Sequence, residues 1–83
     1  MTVEQLSEVH QACPQAIALF KLGEWFDAYE FDADKLESVL GVRPMRGEDG
    51  LRRAGFPAVF LDAYLTKLVK SGHRVAICEP IID

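Results

Sequence analysis

The segment Gly23-Glu24-Trp25-Phe26-Asp27-Ala28-Tyr29-Glu30-Phe31 constrains the fold more than any other part of the chain. Read as a strand over residues 25–31 behind a glycine turn, it sends successive side chains to opposite faces, so Trp25 and Asp27 share one side. Their Cβ atoms then lie about 6.5–7 Å apart. A flat aromatic beside a carboxylate on one sheet face can wedge between bases while the acid accepts a hydrogen bond from one of them. The same pair can also be a tryptophan capping a small core next to a solvated aspartate. The rest of the chain must decide between these.

The run Ile17-Ala18-Leu19-Phe20-Lys21-Leu22 before it reads as a strand buried on both faces. Gly23-Glu24 is then the tight turn of a hairpin. Upstream, Thr2 and Gln5 form a capping box, and Val3, Leu6, Val9 and Cys13 follow helical spacing until Pro14 stops it. Downstream, Asp32 is expected to N-cap a helix with Ala33, Leu36, Val39 and Leu40 on one face, closed by Gly41. Residues 42–45 make a short strand candidate, confined to an edge or strand end by Pro44. Residues 46–57, with Gly47, Gly50, Gly55 and Pro57, read as a loop. Leu61, Tyr64, Leu65, Leu68 and Val69 keep the spacing of an amphipathic helix across residues 59–71, with Lys67 and Lys70 in its last turn and Gly72 beyond. Residues 74–79 form a β-branched run, expected as an interior strand, ended by Pro80. The fold class is therefore α/β (α+β): one domain over residues 1–83, a small mixed sheet of about four strands packed with about three helices.

A chain of 83 residues with 49% hydrophobic and 27% charged residues supports one modest core and is not composed like a disordered segment. No apolar run approaches the ~20 residues that cross a bilayer, and the N-terminus lacks a signal-peptide pattern. Cys13 and Cys78 have no metal-like or redox-like spacing and read as thiols of a reducing cytoplasm rather than a disulfide. The net charge of −4 argues against a generic nucleic-acid binder. It is unevenly spread, however. Residues 1–42 carry two basic and eight acidic residues, net −6, whereas residues 43–83 carry seven basic and five acidic, net +2. Arg43, Arg46, Arg52 and Arg53 crowd one connecting stretch, which can hold phosphates or be a solvated loop balanced by Glu48 and Asp49.

Three blocks resemble the N-terminal, mismatch-recognition domain of the MutS DNA mismatch-repair family. Phe20-Lys21-Leu22-Gly23-Glu24-Trp25-Phe26-Asp27, continued by Asp32-Ala33-Asp34-Lys35, is similar to the segment that holds the family's Phe-x-Glu motif. Ala54-Gly55-Phe56-Pro57 with Tyr64-Leu65-x-Lys67-Leu68-Val69 resembles its Ala-Gly-Ile-Pro block and following helix. Val75-Ala76-Ile77-Cys78-Glu79 with Asp83 resembles the next strand. The resemblance implies a mixed sheet flanked by helices, and DNA as partner. By position it makes Trp25 the wedge that stacks on a mispaired base and Asp27 the acid that accepts a hydrogen bond from it. Arg52 and Arg53, with Arg46, would approach the DNA backbone. Trp in place of Phe widens the wedge and adds an indole N–H, while Asp in place of Glu shortens the acid's reach by about 1.5 Å.

Two functions follow as expectations. One is a non-enzymatic DNA-binding module whose contact with a distorted duplex is weak and salt-sensitive. The other is a protein-interaction module that keeps the fold and pairs, or self-associates, through an exposed sheet edge. Catalysis is not expected. His10 and His73 lack spaced partners, Glu30 faces away from Asp27, and Asp32 and Asp34 suit a helix start. No Gly-x-x-x-x-Gly-Lys-Ser/Thr loop is present for ATP, and no cofactor or metal is expected.

Overall fold

A computed structural model describes residues 8, 11, 12 and 14–79 of the protein. The capping box at Thr2 and Gln5 and the apolar positions Val3, Leu6, Val9 and Cys13 lie outside these residues, as does Pro80. The described elements are β1 (Ala16–Leu22), β2 (Trp25–Tyr29), α1 (Phe31–Leu40), β3 (Met45–Arg46), β4 (Arg52–Pro57), a 3₁₀ turn (Ala58–Phe60), α2 (Leu61–Lys70) and β5 (Arg74–Cys78). They build one five-stranded mixed sheet in the order β3-β4-β2-β1-β5. Only the β1–β5 pair is parallel.

The hairpin turns at Gly23, whose φ of 63° is open to a residue without a Cβ, and Leu22 then faces Trp25 across the ladder. β2 pairs β1 on one side and β4 on the other, with Phe26 opposite Phe56 and Ala28 opposite Ala54. These four residues join Ile17, Leu19, Ala33, Leu36 and Leu68 in the main core, so both helices cover the same sheet face. Phe26 and Phe56 stack with centroids 5.8 Å apart, and Tyr64 of α2 meets Phe56 edge-on at 5.0 Å. Burying each such ring is worth about 1.5–3 kcal/mol, so this cross-strand pair fixes the register of the central strands. A smaller cluster, Ala18, Phe20, Tyr29 and Leu51, is buried on the other face. Neither helix is long or apolar enough to cross a membrane.

Four expectations change. Residues 52–57 are not loop but β4, which holds two ladders at once. Gly55 and Pro57 look like breakers, yet the proline stands at the strand's last position, where losing a donor costs little. The short strand expected at residues 42–45 shifts to Met45–Arg46, past Pro44. β5 is an edge strand with Ile77 44% exposed, not an interior one. Finally, β2 ends at Tyr29 and Glu30 takes a positive φ of 53°, so α1 starts at Phe31 and Asp32 lies inside its first turn rather than at the cap.

Asp32 has a different task. The β1–β2 ladder runs from Leu22↔Trp25 to Phe20↔Asp27, leaving Ala18 beyond it. The buried Asp32 Oδ2 accepts the Ala18 N–H at 3.1 Å, in place of a strand neighbour. At the other end of α1, Gly41 adopts the left-handed conformation and its N–H returns to the Glu37 carbonyl at 3.0 Å, as its position in the sequence suggested. Asp32→Ala orphans the Ala18 N–H and is expected to lower unfolding stability by about 1–3 kcal/mol in a urea titration. An unchanged midpoint would show that the carboxylate is dispensable.

Candidate nucleic-acid interface

With Phe26 and Ala28 turned into the core, the alternation of β2 sends Trp25, Asp27 and Tyr29 to the face away from the helices. Trp25 opens the strand and stays 44% exposed, whereas Asp27 is 6% exposed and Tyr29 is buried. The shared face matches the sequence reading. The freedom of the acid does not: the Trp25 indole Nε1–H donates to Asp27 Oδ1 at 2.8 Å, so the carboxylate is tied to the N–H edge of the ring instead of standing free beside it. Two residues along one strand is the spacing that lets the N–H edge of an indole reach the next side chain on the same face.

Gly55 makes room for this. It faces Asp27 across the β2–β4 ladder, and a Cβ there would collide with both the Asp27 carboxylate and the indole nitrogen. Two residues earlier on β4, Arg53 lies opposite Tyr29 and spreads its guanidinium over that ring, 5.4 Å from the centroid. Its Nη2 donates to Asp49 Oδ2 at 2.8 Å, and its Nη1 sits 4.0 Å from Asp27 Oδ2. Asp49 Oδ1 in turn accepts the Leu51 N–H at 3.0 Å, and Arg46 Nη1 donates to the Gly50 carbonyl at 2.5 Å. The turn between β3 and β4 is thus braced by the arginines that flank it.

Between this turn and Trp25 runs an open groove of about 650 Å³, lined by Trp25, Asp27, Arg43, Met45, Arg46, Gly47, Glu48, Asp49, Arg53 and Gly55. It brings together Trp25, Asp27, Arg46 and Arg53 of the residues singled out in the sequence. Arg52 is not among them. Its side chain points to the helix-covered face, where it pairs with Asp34 and, at 3.7 Å, with Glu37. Arg43 joins the groove without having been picked as a site residue. It is exposed and, among the described residues, makes no ion pair. Its place in the basic cluster was visible, but its orientation depends on the turn.

Burial pushes the Asp27 carboxyl above its ordinary 3.8, against the opposing pull of the indole N–H and of Arg53. Asp49 moves the other way, held down mainly by the Leu51 N–H and by Arg53. A raised carboxyl in the folded state means that proton binding favours folding. Asp27 therefore contributes stability at low pH that is lost as pH rises through the raised value. Asp27→Asn keeps an acceptor for the indole and removes that dependence. Its stability relative to wild type is expected to grow as pH climbs from 3.8 and to level off above the folded value, by urea unfolding at a series of pH values. A difference that shrinks with rising pH would contradict the assignment.

The arrangement is an exposed aromatic at the rim of a groove with three arginines and three acids, a surface for stacking and for local phosphate contact. The model of MutS domain I matches residues 2–82 of the chain. Among curated proteins, it is 37% identical to the DNA mismatch repair protein MutS of Methanothrix thermoacetophila and 38% identical to that of Porphyromonas gingivalis. Each alignment covers 98% of this chain and 10% of the relative. The MutS of Salinibacter ruber is 36% identical, again over 98% of the chain and 9% of its own length. The chain thus spans about a tenth of the length of these relatives. Together with the mixed sheet that carries the Trp25–Asp27 segment, these matches show that the chain belongs to the MutS domain I family.

Proposed function

We propose that this chain is a non-enzymatic DNA-binding module that meets distorted or mismatched duplexes through Trp25. The observation that carries the reading is the indole itself, nearly half exposed on an open sheet face at the rim of an arginine-lined groove. The ring stacks on a base where the duplex is already weakened, with Asp27 held at the N–H edge of the indole. Phosphate contacts come from Arg46, as the sequence suggested, and from Arg43, which among the described residues has no carboxylate partner to give up. Arg53 and Arg52 act mainly by holding the turn and α1, since each is already engaged by acids. The name shared by the relatives, DNA mismatch repair protein, supports mismatched DNA as the ligand class.

Affinity follows from magnitudes. Stacking on an aromatic is worth about 1–3 kcal/mol per base, while bending a duplex costs about 1–6 kcal/mol. One indole with Arg43 and Arg46 does not offset a full kink, so binding is weak and selects DNA that is already deformed. A second reading rests on β5, an edge strand with Ile77 44% exposed, on which another chain can add a strand. Self-association of that kind is read by sedimentation across a concentration series.

The test of the main reading follows Trp25 emission during titration with a G·T-containing duplex and its matched control at low salt. Quenching with preference for the mismatch is expected, and Trp25→Ala is expected to fold and lose it. No response to either duplex would sink the proposal. Arg43→Ala and Arg46→Ala are each expected to reduce the salt slope of binding by about one, and Arg52→Ala to leave it unchanged. An equal change for all three would contradict the division of the arginines between the two faces.

A further inference from the structure

We propose that Asp27 is a positioning residue for Trp25, setting the orientation of the indole before DNA arrives rather than reading a base edge. The proposal rests on the assignment of Trp25 as the wedge. Three observations converge on it. Asp27 is 6% exposed, so although it lines the groove little of its carboxylate is open to a ligand. Its Oδ1 accepts the indole N–H at 2.8 Å, and Arg53 lies 4.0 Å from Oδ2, close enough for Coulombic attraction but not for a hydrogen bond. Opposite it, Gly55 lacks the Cβ that would push carboxylate and indole apart.

The physical consequence is a wedge with fewer orientations to lose. An exposed tryptophan at a strand end samples several χ1 and χ2 wells, and ordering a large side chain on binding costs affinity. A hydrogen bond to an ionised acceptor, about twice as strong as a neutral one, holds one of those wells. A phenylalanine at this position has no N–H to offer, so the arrangement depends on this chain's own Trp-x-Asp pairing. The burial of the acid also explains why an acidic side chain is tolerated near DNA: its charge is balanced in part by Arg53 and by the indole N–H.

The test is a double-mutant cycle with two readouts: exchange of the Trp25 indole Nε1–H in the DNA-free protein by NMR, and affinity for the G·T duplex at fixed salt. Asp27→Ala is expected to speed indole exchange and to weaken binding about tenfold, the worth of one charge-assisted hydrogen bond. Electrostatics alone predicts the opposite, because the variant removes a negative charge near phosphates. Asp27→Asn keeps a neutral acceptor and is expected to restore both readouts in part, to between wild type and Asp27→Ala. Gly55→Ala, which forces the partners apart, is expected to speed exchange with Asp27 intact. In the Trp25→Phe background, Asp27→Ala is expected to be silent in binding. The same loss in both backgrounds would show that the acid meets the base directly and would overturn the proposal. So would unchanged indole exchange in Asp27→Ala and Gly55→Ala. Failure of the wild type to bind either duplex would remove the DNA reading, while the exchange measurements would still decide whether Asp27 holds the indole.

Discussion

The register of β2 is the constraint on which the other features depend. The strand lies between β1 and β4 at the centre of the sheet, with Phe26 and Ala28 against the helices and Trp25, Asp27 and Tyr29 on the other side. A slip of one residue would exchange the two sets. It would drive a carboxylate into the main core, where an unpaired charge costs several kcal/mol, and expose a phenylalanine ring whose burial is worth about 1.5–3 kcal/mol. The Phe26–Phe56 stack and the turn at Gly23 therefore do more than stabilise the fold. They decide which residues are available for function.

Once that register is set, the open face assembles from neighbours in the ladder. Gly55 faces Asp27 and leaves a gap, the indole folds into it, and Arg53 lies over Tyr29 with a hand on both Asp49 and Asp27. The groove beside them holds as many acids as arginines, in a chain whose net charge is −4. On the proposed reading, Coulombic attraction to DNA is therefore local and small, and discrimination comes from shape and stacking. On the proposed DNA-binding reading, the surface gains most at a base step that is already unstacked.

Much of this was legible in the sequence because local signals agreed with the tertiary outcome. The 3.6-residue spacing and following Gly72 marked α2, and Gly41 marked the end of α1 with the left-handed backbone that it adopts. Trp25 and Asp27 were placed on one face by strand alternation alone. What failed did so where a residue serves a distant partner. Gly55 and Pro57 resembled turn residues, but Gly55 is small because an indole and a carboxylate meet against it, and this hid β4. With β4 read as loop, no alternation could be applied to Arg52 and Arg53, and two adjacent arginines on opposite faces looked equivalent. Asp32 resembled a cap because the orphaned donor it meets, the Ala18 N–H, is fourteen residues away in sequence. The indole–carboxylate hydrogen bond had no sequence signal beyond the i, i+2 spacing, which permits the contact without requiring it.

The account stands or falls on whether the Trp25 ring meets a nucleobase. Intermolecular NOEs in a complex with a short G·T-containing duplex test this most directly. Contacts from the indole ring protons to base protons at the mismatched step, absent with the matched duplex, are the result expected. Ring protons that contact only the protein, with DNA signals perturbed elsewhere or not at all, would contradict it.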